Sequence, residues 1–223
     1  MSNLYIVATP IGNLEDITKR ALRILSEVDL ILCEDTRVTK KLLERYQIKT
    51  PTLSYHQHSK LQKIEYIIEL LRQGKNLALV SDAGTPGVSD PGNQLVDEAM
   101  KQCGNLTIMP IPGPSALAAA ASISGFPMDR FLFLGFPPQK RKRKKFFEEI
   151  VAFKYPVIFY ESPYRILKTL EALRIMNREL RIMVGRELTK KFETIYRGEI
   201  GEVLEQIKQG EIRGEFTVIV APR

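Results

Sequence analysis

The sequence predicts an α/β protein of two domains, the first on a parallel-rich sheet and the second on a mixed sheet. Three observations carry this prediction. Short apolar runs alternate with helical patterns through the first half, a proline cluster at 110–114 breaks the alternation, and the closing strands follow one another with little helix between them. Domains are therefore expected at 1–113 and 114–223.

In the first half, LYIVAT (4–9), DLILCE (29–34), TLSY (52–55), NLALVS (76–81) and LTIMPI (106–111) read as strands. Helical periodicity fills 16–27, 36–46, 59–73 and 91–102. Such alternation gives βαβ units with right-handed crossovers. Three prolines in the five residues 110–114 cannot lie inside a helix or a central strand. An alanine-rich helix restarts after Ser115. FLFLGF (131–136), PVIFYE (156–161), LRIMVG (180–185), ETIYRG (193–198) and EFTVIV (215–220) read as the second set of strands. A basic helix is expected from about 140. Another is expected from Ser162, with Ser162 as N-cap and Pro163 in the first turn.

Composition narrows the class. An apolar fraction of 44% supports a packed core, and no apolar run reaches the ~18–20 residues that span a membrane. The N-terminus lacks the basic region of a signal peptide and runs straight into a strand. Cys33 and Cys103 form no CxxC pair and read as reduced thiols of a cytoplasmic protein. The net charge of +7 is local: residues 1–113 carry 13 cations against 13 anions, and residues 114–223 carry 20 against 13. Six of the cations form one run, Lys140, Arg141, Lys142, Arg143, Lys144 and Lys145. A local basic patch suits a polyanion, although such runs are also found merely solvated.

The segment SDAGTPGVSDPG (81–92) is the most informative. It follows an apolar strand and precedes a helix, at the strand end where open α/β sheets bind ligands. Its glycines permit close backbone approach and its prolines stiffen the loop. No nucleotide fingerprint is present. The first strand is followed by a single glycine, Gly12, and the P-loop spacing of Gly87 and Gly92 is followed by Asn93 and Gln94 rather than Lys-Ser/Thr. The ligand is therefore expected to be something other than a pyrophosphate.

Further strand ends carry polar clusters. Glu34, Asp35 and Arg37 follow the second strand, where Asp35 or Thr36 also suits a helix cap. His56 and His58 follow the third, without ligand spacing for a metal, so none is expected. Glu161, Tyr164 and Arg165 follow the strand at 156–161. Glu187, Lys190 and Lys191 also read as plain surface charge.

Taken together, VATPIGNLED (7–16), CEDTR (33–37), SYHQH (54–58), SDAGTPGVSDPG (81–92), PIPGPSA (110–116) and FYESPYR (159–165) resemble the small-subunit rRNA 2′-O-methyltransferases of the tetrapyrrole methylase superfamily. The motifs run in the same order from residue 3 to about 221. The resemblance implies two α/β domains with S-adenosylmethionine in the cleft between them, a homodimer, and methylation of a cytidine ribose in the decoding region of 16S rRNA on the small subunit. It implies cofactor contacts from Pro10, from Asp82, Ala83, Gly84, Thr85, Pro86, Gly87, Val88 and Ser89, and from Ser115 and Ala116. It also implies contacts from Leu134, Tyr160, Gly214, Phe216 and Thr217.

A methyl group on a sulfonium is already activated, so the protein's tasks are alignment, water exclusion and acceptance of the hydroxyl proton. Asp35, Glu34 and His56, in that order, are the candidates for the base. Arg37, His58, Glu161, Arg165 and the cations 140–145 are the candidates for RNA contact. Methylation of a small tetrapyrrole and non-catalytic RNA binding are the alternatives.

Overall fold

The structure is a computed structural model that describes residues 2–56 and 61–221. His58 lies outside the described residues. The chain divides into two compact units, Met1–Ser115 and Ala116–Arg223, so the boundary falls after Ser115 rather than Gly113.

The first unit holds β1 (Ser2–Val7), α1 (Lys19–Glu27), β2 (Leu30–Cys33), α2 (Thr36–Arg45), β3 (Thr52–Ser54), α3 (Leu61–Arg72), β4 (Leu77–Leu79), α4 (Asn93–Gln102) and β5 (Leu106–Ile111). The five strands form one sheet in the order β3-β2-β4-β1-β5, and every pairing is parallel. Both faces are covered, which is why the strands read as continuous apolar runs. Ala78 and Val80 join Val7, Ile31 and Cys33 under Leu25 of α1 and Leu42 of α2. Leu77 and Leu79 join Leu4 and Leu32 under Ile67 and Ile68 of α3 and Leu95 of α4. Because the strands are parallel, all five C-terminal ends open at the same edge. Pro110 lies within β5, opposite Ile6, and β5 is an edge strand, where the missing N–H costs no ladder bond.

The second unit holds α5 (Ala116–Ile123), β6 (Leu132–Phe133), α6 (Arg143–Ala152), β7 (Val157–Glu161), α7 (Ile166–Met176), β8 (Arg181–Arg186), β9 (Thr194–Glu199), α8 (Ile200–Gln209) and β10 (Phe216–Val220). The sheet order is β6-β7-β10-β8-β9, with β6 and β7 parallel and the other pairs antiparallel. It is the mixed sheet expected, and α8 is the short helix expected between β9 and β10. Phe159, Val184 and Val218 pack beneath Phe147 of α6, Leu170 of α7 and Leu204 of α8.

Three boundaries differ from expectation for local reasons. β6 is shorter than 131–136 because Gly135 takes φ +61 before Pro137. Helix α6 begins at Arg143 because Lys142 is left-handed, at φ 66. Helix α7 begins at Ile166, so Ser162 is not its N-cap. Ser162 instead starts a turn in which its carbonyl accepts from the N–H groups of Arg165 and Ile166, both at 3.1 Å.

Candidate functional site

The strand-end edge of the first unit is stitched together through Thr9. The backbones of Thr9 and Gly84 exchange two hydrogen bonds, at 2.9 and 3.0 Å, and the Thr9 hydroxyl donates to the Ser81 carbonyl at 3.0 Å. Thr9 and Ser81 are both buried. These bonds fix the start of the 81–92 loop to the end of β1, beside the buried Pro10. Sequence reasoning passed over Thr9; its only signal was a hydroxyl at the end of an apolar strand, before a proline. Gly84 and Gly87 have φ +85 and +81, a region side-chain-bearing residues rarely occupy. Further along, Thr85 donates to the Pro114 carbonyl at 3.3 Å, and a Cβ on Gly113 would stand 3.0 Å from that of Ala8. The 81–92 loop and the 110–114 turn are thus held close to the same point above β1. Ala83, Val88 and Ser89 are exposed on this loop, and Asp82, Thr85 and Ser115 are half-buried.

A cavity of about 560 Å³ lies beside this loop, lined by Glu34, Asp35, Thr36, Arg37, Ser54, His56 and Asp82. Three residues expected to act as base and one expected to bind substrate therefore line one space. Their roles differ. Asp35 is the N-cap of α2: its carboxylate accepts the Arg37 N–H at 2.8 Å and is also gripped by the Arg37 guanidinium, at 2.5 Å for the nearest pair. That guanidinium, with the cap hydrogen bond, lowers the Asp35 pKa to about 2. The Asp82 carboxylate accepts the Asp35 N–H at 3.0 Å. Among the described residues no salt bridge to a cation is formed by Glu34. Burial, and then the neighbouring Asp82 charge, push its pKa above the usual carboxylate value. Of the two carboxylates, Glu34 is therefore the one with the higher proton affinity.

The second unit has its own polar centre at the end of β7. The Glu161 side chain is fully buried and pairs with Arg165 at 2.8 Å and with Arg143 at 3.9 Å. It also accepts the Thr169 hydroxyl at 2.5 Å and the Ser162 N–H at 2.8 Å. Arg143 donates to the Thr169 hydroxyl and the Pro138 carbonyl, and Arg165 donates to the Pro137 carbonyl. Glu161, Arg143 and Arg165, three residues expected at the RNA, are thus bonded to the protein itself. Lys140, Arg141, Lys142, Lys144 and Lys145 remain exposed. Helix α6 opens with cations, without an acidic residue in its first turn or a side-chain N-cap. Cations at that end oppose the helix dipole, and an anion would relieve the cost.

Leu134, Tyr160 and Thr217 lie side by side in this sheet. Leu134 N–H donates to Ile158, Tyr160 N–H donates to Gly135, and Tyr160 is paired with Thr217. Phe216 and Thr217 are buried, and Gly214 has φ +84. A side chain on Gly214 would collide with Glu187, whose carboxylate bonds Lys190 at 2.8 Å and the Glu215 N–H at 3.0 Å. The acidic and basic residues at 187–191 are thus partly a built turn, not only surface charge.

Among the described residues no helix is long and apolar enough to cross a membrane, and no group of His, Cys, Asp and Glu has metal-binding geometry. Cys33 and Cys103 are both free thiols.

Comparison with known proteins agrees with this architecture. Residues 3–204 match the family model of tetrapyrrole (corrin/porphyrin) methylases. Proteins named ribosomal RNA small subunit methyltransferase I are similar along nearly the whole chain. The one from Thermotoga maritima is 42% identical over 99% of both chains. The one from Bacillus subtilis is 46% identical over 99% of this chain and 75% of its own. Among solved structures, a diphthine synthase superposes with a TM-score of 0.76 at 14% identity, over 99% of this chain and 90% of that one. A cobalt precorrin-4 methyltransferase superposes at 0.70 and 17%, over 98% and 94%. The chain belongs to the tetrapyrrole methylase family, among the proteins named ribosomal RNA small subunit methyltransferase I.

Proposed function

We propose that this chain uses S-adenosylmethionine to methylate the ribose 2′-oxygen of a cytidine in the decoding region of 16S rRNA, on the small ribosomal subunit. The observation that carries the reading is identity of 42–46%, over 99% of this chain, to relatives named ribosomal RNA small subunit methyltransferase I. Action as a homodimer and in the cytoplasm is part of the proposal and rests on the family resemblance.

The residues fit the cofactor. The 81–92 loop offers backbone donors and acceptors around two left-handed glycines and has no phosphate-binding lysine. That chemistry suits a zwitterionic amino acid joined to an adenosine. The holding residues would be Pro10, 82–89, Ser115 and Ala116, with Leu134, Tyr160, Gly214, Phe216 and Thr217 in the second unit. S-adenosylmethionine supplies a methyl already activated by its sulfonium.

The chain's own work is positional and acid–base. Glu34 accepts the proton of the ribose hydroxyl. Its raised pKa makes it a stronger base than an ordinary glutamate, whereas Asp35, at about 2, is a weak one. Asp35 is a positioning group: it caps α2 and orients Arg37, whose side chain is 86% exposed and free to reach an RNA phosphate with its remaining N–H groups. His56, on the neighbouring loop, is a substrate contact, and His58 is assigned the same role from the sequence motif alone. Lys140, Arg141, Lys142, Lys144 and Lys145 hold phosphates without reading sequence.

A transfer assay with tritiated S-adenosylmethionine tests the reading. Assembled small subunits from cells lacking the enzyme should accept label, and naked rRNA should accept less. Label transferred to neither would overturn the proposal.

A further inference from the structure

Two exposed aromatic side chains of the second unit sit at the root of its basic segment. Tyr164 is 93% exposed in the turn before α7, and Phe136 is 54% exposed just after β6. The two segments are joined through the Arg165 side chain. Arg165, next to Tyr164, donates to the carbonyl of Pro137, next to Phe136, at 3.1 Å. Phe136 also stands against Tyr160, with ring centroids 5.5 Å apart. The same corner receives the basic segment, because Arg143 donates to the Pro138 carbonyl at 3.2 Å. Arg143 and Arg165 converge on the buried Glu161, so the turn, the loop and the base of α6 are mounted on one internal ion cluster.

Single exposed apolar residues need no explanation. Here, however, two aromatics are held on a rigid mount beside five exposed cations. Aromatic faces next to a cationic track are how proteins hold unpaired nucleic acid: bases stack on rings and cations follow the phosphates. A duplex offers no such purchase, because A-form helices keep their bases stacked. A second copy of this chain is disfavoured as the occupant, because the two basic segments would repel.

We propose that Tyr164 and Phe136 form a stacking platform for unpaired bases of the RNA substrate, beside the phosphate-holding cations of 140–145. This rests on the RNA reading above and adds that the substrate presents single-stranded nucleotides to the second unit. Glu161 is the positioning residue for the platform.

The test is fluorescence anisotropy of the full chain with a labelled, unstructured 12-nucleotide oligocytidine and a labelled RNA hairpin, across a salt series. Wild type should bind the single strand more tightly than the hairpin. Tyr164→Ala and Phe136→Ala should each weaken single-strand binding about tenfold, in line with loss of one stacked base, and leave the salt slope unchanged. Tyr164→Trp should restore binding. The pair Lys144→Ala and Lys145→Ala should instead flatten the salt slope. Thermal melts establish that each variant is folded, and Tyr164, being exposed, has little packing to lose. Alanine variants that bind like wild type, with the lysine pair still weakened, would overturn the platform and leave the RNA reading standing. Wild type that binds neither RNA would overturn both. A change of oligomeric state in Tyr164→Ala, with RNA affinity unaltered, would assign the face to self-association and overturn the platform.

Discussion

The Asp82 carboxylate accepts the backbone N–H of Asp35 at 3.0 Å, joining the loop after β4 to the first turn of α2. This bond brings a fixed negative charge beside Glu34 while Arg37 neutralises Asp35. The two adjacent carboxylates are thereby driven apart in proton affinity, which is the basis for proposing Glu34 as the base and Asp35 as a positioning group.

Glu34→Gln should lower kcat by roughly 10²–10⁴-fold, the usual contribution of a positioned base. Affinity for S-adenosylmethionine, read by calorimetry, should hold. Asp35→Asn should cost much less, because asparagine caps a helix about as well as aspartate. A larger loss from Asp35→Asn than from Glu34→Gln would exchange the two roles.

The pH profile carries the same assignment. Glu34 works in its ionised form, and burial together with Asp82 raises its pKa, so the acid limb of kcat should lie above the ordinary glutamate value of 4.5. Removing the neighbouring charge in Asp82→Asn should move that limb to lower pH. An unmoved limb, with activity retained, would show that another group titrates.

Glu161→Gln tests the ion cluster of the second unit. It leaves two arginines, each mostly buried, without their shared carboxylate, and loss of one partner of a buried pair costs about 3 kcal/mol. Urea denaturation should show that loss. Thr169→Val should cost less, because it removes a hydroxyl that donates to Glu161 and leaves both ion pairs in place.

Gly214→Ala should destabilise the chain twice over, through its left-handed φ of +84 and through collision with Glu187. Adding Glu187→Ala should recover the steric part only, which a double-mutant comparison of melting temperatures would show.

Much of this was legible in the sequence, and the reasons are specific. NLALV reads as a buried strand because both faces of β4 are covered, and Pro110 is accommodated inside a strand because β5 is at the sheet edge. The strand-end clusters were visible because CEDTR and the 81–92 loop concentrate polar groups where apolar runs stop. What pattern could not supply was partnership. Nothing in the run of six cations says that Arg143 turns inward to Glu161 and Thr169 while its neighbours face outward. Nor does the CEDTR motif say which carboxylate meets Arg37. That depends on α2 beginning at Thr36, which places Asp35 at the cap and leaves Glu34 beside Asp82.

The central claim is tested most directly by nucleoside mass spectrometry of 16S rRNA from small subunits, taken from cells lacking the enzyme and incubated with S-adenosylmethionine and the purified chain. The account predicts one new 2′-O-methylcytidine per subunit, within a decoding-region fragment, and far less with Glu34→Gln. A methyl group found on a base, or on a nucleotide other than cytidine, would contradict it.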